Sequence, residues 1–189
     1  MPRFAFKEWA VVCRALAEGR QAVILRKGGI SEEGGVFRPD HMRFWLFPTY
    51  LHQSPDGLKP GDAARLPEIE RDRPPADIIR LTHYVEVPGV FRADRLEQAL
   101  DLHSFHVWSE ATVRQRFAYR RPGLFVLPAR VYAATALVEV PNRPEYEGCK
   151  SWIDLGVEIP PAGTPVLSDR VFADVLEAID RTLHPIGTA

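Results

Sequence analysis

The residues best suited to chemistry in this 189-residue chain fall in short blocks. Arg26 and Lys27 stand directly before Gly28 and Gly29 in the stretch LRKGGISEEGG, residues 25–35. Successive glycines let backbone N–H groups converge on an anion, and the two cations add charge and forked hydrogen bonds for phosphate or carboxylate. The spacing matches neither the P-loop nor the dinucleotide-binding glycine pattern, so no nucleotide fingerprint is present. A glycine turn with solvated cations paired to Glu32 and Glu33 accounts for the same residues. In PTYLHQ, Thr49, Tyr50, His52 and Gln53 follow an apolar run, where a rigid element hands polar groups to a loop. Imidazole is the side chain suited to proton transfer near neutrality, which makes His52 the candidate catalytic acid or base, with Gln53 or Thr49 fixing a polar group of a ligand. No nucleophile accompanies them, and satisfaction of nearby backbone groups is the plainer role.

In GCKSW, Cys149 lies beside Lys150, and a neighbouring ammonium lowers a thiol's pKa. A cysteine enzyme also needs a histidine base, so Lys150 is the more useful candidate, as a second cation beside Lys27. RQRFAYRR, residues 114–121, interleaves Arg114, Arg116, Arg120 and Arg121 with Phe117 and Tyr119, a mixture that can track phosphates while rings stack on bases. Phe117 also fits an apolar helix face, which makes a solvated arginine face the competing reading. His103 and His106 lack the spacing and partners of a zinc site, and His103 falls on an apolar stripe, as a core histidine would. None of the four lysines has an acidic residue two positions before it, so the strand signature of a metal-dependent nuclease is missing. Glu8, Asp40 and Asp56 are the carboxylates left for any other such arrangement. No cofactor and no metal site is expected.

The elements that must position these groups follow from periodicity. Phe6, Trp9, Ala10, Cys13, Leu16 and Ala17 have helical spacing, with Gly19 as a left-handed stop. Residues 21–27 read as a buried strand that delivers Arg26 and Lys27 to its rim, and residues 42–48 as a second strand paired with it in a long-looped hairpin. Residues 54–76 are proline-rich and read as a connecting loop or lid with at most a helical turn or two. Strands are expected at 77–87, 124–133 and 136–140, with another in SWIDLGVEI; Pro128 marks a bulge or edge. Helices are expected over 96–103, after Ser109, and after Ser168, where the serines serve as caps. Irregularly interleaved strands and short helices give an α+β fold with a mixed or mainly antiparallel sheet and about four helices in one compact domain.

Composition narrows the partners. A formal net charge of −1 supplies no overall field toward nucleic acid or anionic lipid, so any anion site must be local. The 20 Arg against 4 Lys are read as compositional background. No apolar run reaches the roughly 18 residues that span a bilayer, and the first residues lack a signal-peptide pattern. The expected protein makes no membrane contact and resides in the cytoplasm; the sequence does not set its oligomeric state.

KEWAVVCRALAEGRQAVILRKGGI, FWLFPTYLHQ and YEGCKSWIDL occur in this order and together resemble the uncharacterised bacterial family called domain of unknown function 1802. The resemblance spans nearly the whole chain and implies no activity, but it marks three blocks as distinctive. The joint expectation is that Arg26, Lys27, Thr49, His52, Gln53 and Lys150 line one pocket for an anionic, phosphate-bearing ligand such as nucleic acid or a nucleotide. The alternatives are a hydrolase-like enzyme, with His52 as acid or base and cations stabilising developing charge, and a protein-interaction module presenting Trp45 or Trp108.

Overall fold

The computed structural model describes residues 3–27, 41–148, 150–158 and 162–185. In chain order the elements are β1 (Phe4–Trp9), α1 (Ala10–Ala17), β2 (Val23–Arg26), β3 (Arg43–Thr49), α2 (Pro60–Ala63), α3 (Leu66–Arg71), β4 (Ile78–Glu86), β5 (Phe91–Ala93), α4 (Leu96–Asp101), α5 (Glu110–Ala118), β6 (Leu124–Pro128), β7 (Arg130–Pro141), β8 (Trp152–Asp154), β9 (Gly163–Pro165), α6 (Asp169–Thr182) and β10 (His184–Pro185). Six strands form one sheet in the order β8-β1-β3-β4-β7-β9, and four form another in the order β10-β5-β6-β2. Only β1 and β3 run parallel among these pairs. The fold is α+β with mixed pairing, as the irregular order of elements implied.

Strand periodicity sorts the apolar side chains into two cores. Along β1, Phe6 joins a cluster with Phe44, Val11, Ile24 and Val126, which ties the two sheets and the helices together. The next residue back, Ala5, faces the other way and packs with Trp45, Tyr84 and Ile153 on the outer face of the larger sheet. Glu8 shares a face with Phe6 by the same alternation, so a carboxylate is carried toward the inter-sheet side.

Three sequence expectations need correction. The helix expected from Phe6 begins only at Ala10, because residues 4–9 pair between β3 and β8 as a strand. Its spacing fits either period over so short a run, and sheet pairing overrides helix propensity there. The hairpin of residues 21–27 with 42–48 is also absent: β2 pairs with β6 in the smaller sheet, and β3 pairs with β1 and β4 in the larger. The strand expected over 124–133 divides after Pro128, where the chain passes from one sheet to the other; the Ala129 N–H bonds the Ala22 carbonyl at 2.8 Å as it turns. Proline stands at that corner because it cannot donate to a ladder.

The expected caps are in place. Ser109 accepts from the Thr112 N–H at 3.3 Å and Ser168 from the Val171 N–H at 3.3 Å. Gly19 follows α1 with φ +72°, the left-handed conformation that ends a helix. Within 54–76, prolines stand at the starts of α2 and α3, where the missing N–H costs no helical bond.

Candidate functional site

The end of β1 gathers unlike charges from three distant parts of the chain. Trp9 turns the backbone from strand to helix, and its N–H bonds Glu8 Oε1 at 2.8 Å. From the rim of β2, Arg26 lays its guanidinium 4.8 Å from the Phe6 ring centroid and donates through Nη2 to Ser151 Oγ at 2.8 Å. From α5, Arg116 lies over Trp108 at 3.7 Å, and Trp108 in turn tilts against Trp9 with centroids 5.1 Å apart. Two aromatic stacks thus fix the direction of two partly buried cations, a role suited to the planar guanidinium.

The charges of these groups act on one another. Burial raises the Glu8 pKa above its ordinary 4.5, while Arg116, the Trp9 N–H and Arg26 act against that rise without cancelling it. Burial lowers the pKa of Arg116; Glu8 raises it, and the like charge of Arg26 lowers it further. Cys13, whose thiol bonds the Glu8 carbonyl at 3.7 Å, has its pKa pushed well up by burial and then by the Glu8 charge, so it is a packing residue without thiolate character.

The sequence candidates are distributed around this point rather than collected in one pocket. Lys27 turns away: its ammonium donates to the carbonyls of Phe117 at 2.7 Å and Gly123 at 2.9 Å, and also to that of Arg121, closing the C-terminal end of α5. An ammonium has three donors, and all are used on carbonyls. Gln53 accepts from the Val11 N–H at 2.9 Å and so caps the start of α1. Thr49 lies opposite Trp9 in the β1–β3 register, and its hydroxyl accepts from the Leu51 N–H at 3.4 Å. His52 is exposed at φ +61° in the turn after β3. Lys150 is exposed and donates to the Glu145 carbonyl at 3.3 Å. Gly28, Gly29, Cys149 and Asp40 lie outside the described residues. Residues of the three distinctive blocks contact the stretch from Phe6 to Val11 at separate points: Arg26 lies over Phe6 and bonds Ser151, Thr49 stands opposite Trp9, and Gln53 bonds Val11.

The arginine run divides likewise. Arg114 pairs with Glu110 at 2.7 Å on the exposed face of α5, and Arg120 and Arg121 lie exposed beyond its end, Arg120 at φ +60°. Arg116 alone of the four turns inward. Phe117 is buried, as its helical spacing indicated. His103 is exposed, and the core histidine is His106, 2% exposed, with its pKa pushed down to about 3 by burial, then by Lys59, His103 and Arg116. Trp45 and Trp108 are buried, so neither presents a partner surface. Among the described residues no three His, Cys, Asp or Glu are grouped to hold a metal ion. Sequence reading named Glu8 only as a spare carboxylate; the signal that singles it out is a lone acid on the apolar face of an aromatic strand.

The class defined by this architecture is an α+β domain of two sheets with a charged centre at the end of a parallel strand pair. The chain belongs to the family described as domain of unknown function (DUF1802), whose model matches residues 5–178. No curated protein matches it. Among solved structures it is similar to a mutant form of the ASCH protein from Zymomonas mobilis, at 10% identity and TM-score 0.45 over 92% of this chain and 96% of that one. Another structure of the Zymomonas mobilis ASCH protein aligns at 13% identity and TM-score 0.42, covering 92% of this chain and 93% of that one. Among the described residues no helix is long and apolar enough to cross a membrane.

Proposed function

We propose that this protein binds a phosphate-bearing anion, of the nucleic-acid or nucleotide class, at the centre formed by Arg26, Arg116 and Ser151 around Glu8. The observation that carries the reading is two guanidinium groups held in place near the end of β1, Arg26 over Phe6 and bonded to Ser151, and Arg116 over Trp108. Two like charges held close enough to disfavour each other gain from an incoming anion, and forked guanidinium donors suit phosphate oxygens. Ser151 adds a hydroxyl already oriented by Arg26. The exposed Arg114, Arg120 and Arg121 would extend contact along a phosphate backbone.

A second reading is favoured by the placement of Glu8, half-buried at the end of β1 with its carboxylate on the Trp9 N–H. A carboxyl group raised by burial beside cations is equipped to exchange a proton with a bound substrate, which transfers the acid–base role first assigned to His52 to Glu8. Binding of fluorescent single-stranded RNA and DNA, duplex DNA and a nucleotide panel at two salt concentrations tests the first reading. Salt-sensitive binding supports it, and no binding at either salt concentration refutes it.

A further inference from the structure

The turn that follows α5 exposes an aromatic ring beside two cations. Tyr119 is 56% exposed, whereas every other Phe, Trp and Tyr among the described residues is at least partly buried. Its N–H closes the helix on the Gln115 carbonyl at 3.0 Å, and its own backbone, at φ −60° and ψ 124°, leaves helical geometry. Arg120 follows at φ +60°, a left-handed conformation that glycine adopts without strain and a residue with a side chain does not. The Arg120 guanidinium lies 5.1 Å from the Tyr119 ring centroid. The strained residue is therefore the one that backs the exposed ring. Among the described residues no other aromatic ring or cation engages it.

The charge beside this ring is not cancelled by the chain itself. Arg114 pairs with Glu110 at 2.7 Å, and Arg92, which stands beside Gly123, pairs with Asp94 at 2.7 Å. Arg120 and Arg121 are exposed and carry no ion pair among the described residues. Lys27, the residue after Arg26, bonds the carbonyls of Phe117, Arg121 and Gly123 and so attaches the turn to the rim of β2. Arg116 precedes Tyr119 by three residues, about one helical turn. The ring and its two unpaired cations thus adjoin both guanidinium groups of the anion centre through the chain.

We propose that this turn is a stacking platform for an unpaired base, which makes single-stranded nucleic acid, and not duplex, the ligand of the anion site. The inference rests on the function proposed above and narrows its ligand class. Any base can stack on an aromatic ring whatever its hydrogen-bonding edge, while Arg120 and Arg121 meet the phosphates next to it. Unstacked bases of a single strand offer a face to such a ring, and the internal bases of a duplex have both faces covered by their neighbours.

The test is fluorescence anisotropy of the full chain with labelled oligothymidylate, an abasic oligomer of equal length, and the oligothymidylate paired with oligoadenylate. Oligothymidylate binds more tightly than its duplex, and removal of its bases weakens binding by about fivefold or more, the effect of losing one base stack. Tyr119→Ala causes a loss of the same size with oligothymidylate and none with the abasic oligomer, and Tyr119→Phe binds as the parent does. The salt slope of Tyr119→Ala equals that of the parent, because the phosphate contacts remain. Equal binding of the abasic oligomer, equal or tighter binding of the duplex, or full affinity in Tyr119→Ala overturns the platform and leaves the anion site standing. Absence of binding by every oligomer at low salt overturns both.

Discussion

Arg26 and Ser151, 125 positions apart in sequence, are joined by a 2.8 Å hydrogen bond from Nη2 to Oγ. The bond ties the rim of β2 to the segment entering β8, whose Ser151 carbonyl accepts the Lys7 N–H at 2.9 Å. Two blocks distinctive in sequence are thereby attached to β1, and Glu8 is the acidic side chain presented beside them.

Lys27 separates structural from ligand-binding roles. Lys27→Met is expected to lower stability by about 1–3 kcal/mol, because carbonyls at the end of α5 lose a charged donor. Anion affinity should remain close to that of the parent. Urea unfolding and oligonucleotide binding measured on the same preparation check both points; unchanged stability with lost binding would return Lys27 to the anion site.

Glu8 sets a pH signature. Its folded pKa exceeds 4.5, so just above that pH the folded state holds more protons than the unfolded chain, and stability falls as pH rises through the folded value. Below 4.5 the carboxyl is protonated in both states and this penalty vanishes. Glu8→Gln is therefore expected to gain stability relative to the parent as pH rises from 4 to 8, reaching a plateau. Parallel urea-midpoint profiles would contradict it.

His106 acts in the opposite sense. Its folded pKa of about 3 lies below the ordinary 6.5, so the unfolded chain takes up the proton first and stability falls as pH drops from about 6.5 toward 3. His106→Phe should flatten this acid-side loss in thermal melts between pH 6.5 and 4. A variant that loses stability as steeply as the parent would assign the acid sensitivity to other groups.

Much of the fold was legible because local signals agreed with tertiary placement. The buried run around Val23, the serine caps of α5 and α6, the Gly19 stop and the apolar face of Phe172, Val175 and Ile179 all carry their structure in short windows. Residues 4–9 did not, because their strand state depends on partners about 40 positions and about 150 positions away. The candidate site was half legible for the same reason. Arg26 and Arg116 stand out by type, but the carbonyls that engage Lys27 and the amide that engages Gln53 are backbone groups, which sequence motifs do not display. Glu8 was obscured by the helix expected around it.

The anion site is tested most directly by the salt dependence of single-stranded oligonucleotide binding in the parent and in Arg26→Gln/Arg116→Gln. Each phosphate contact with a single strand contributes about 0.7 to the slope of log K against log salt, so the double variant should lose affinity and about 1.4 of slope. Full retention of affinity and slope in the double variant would contradict the account.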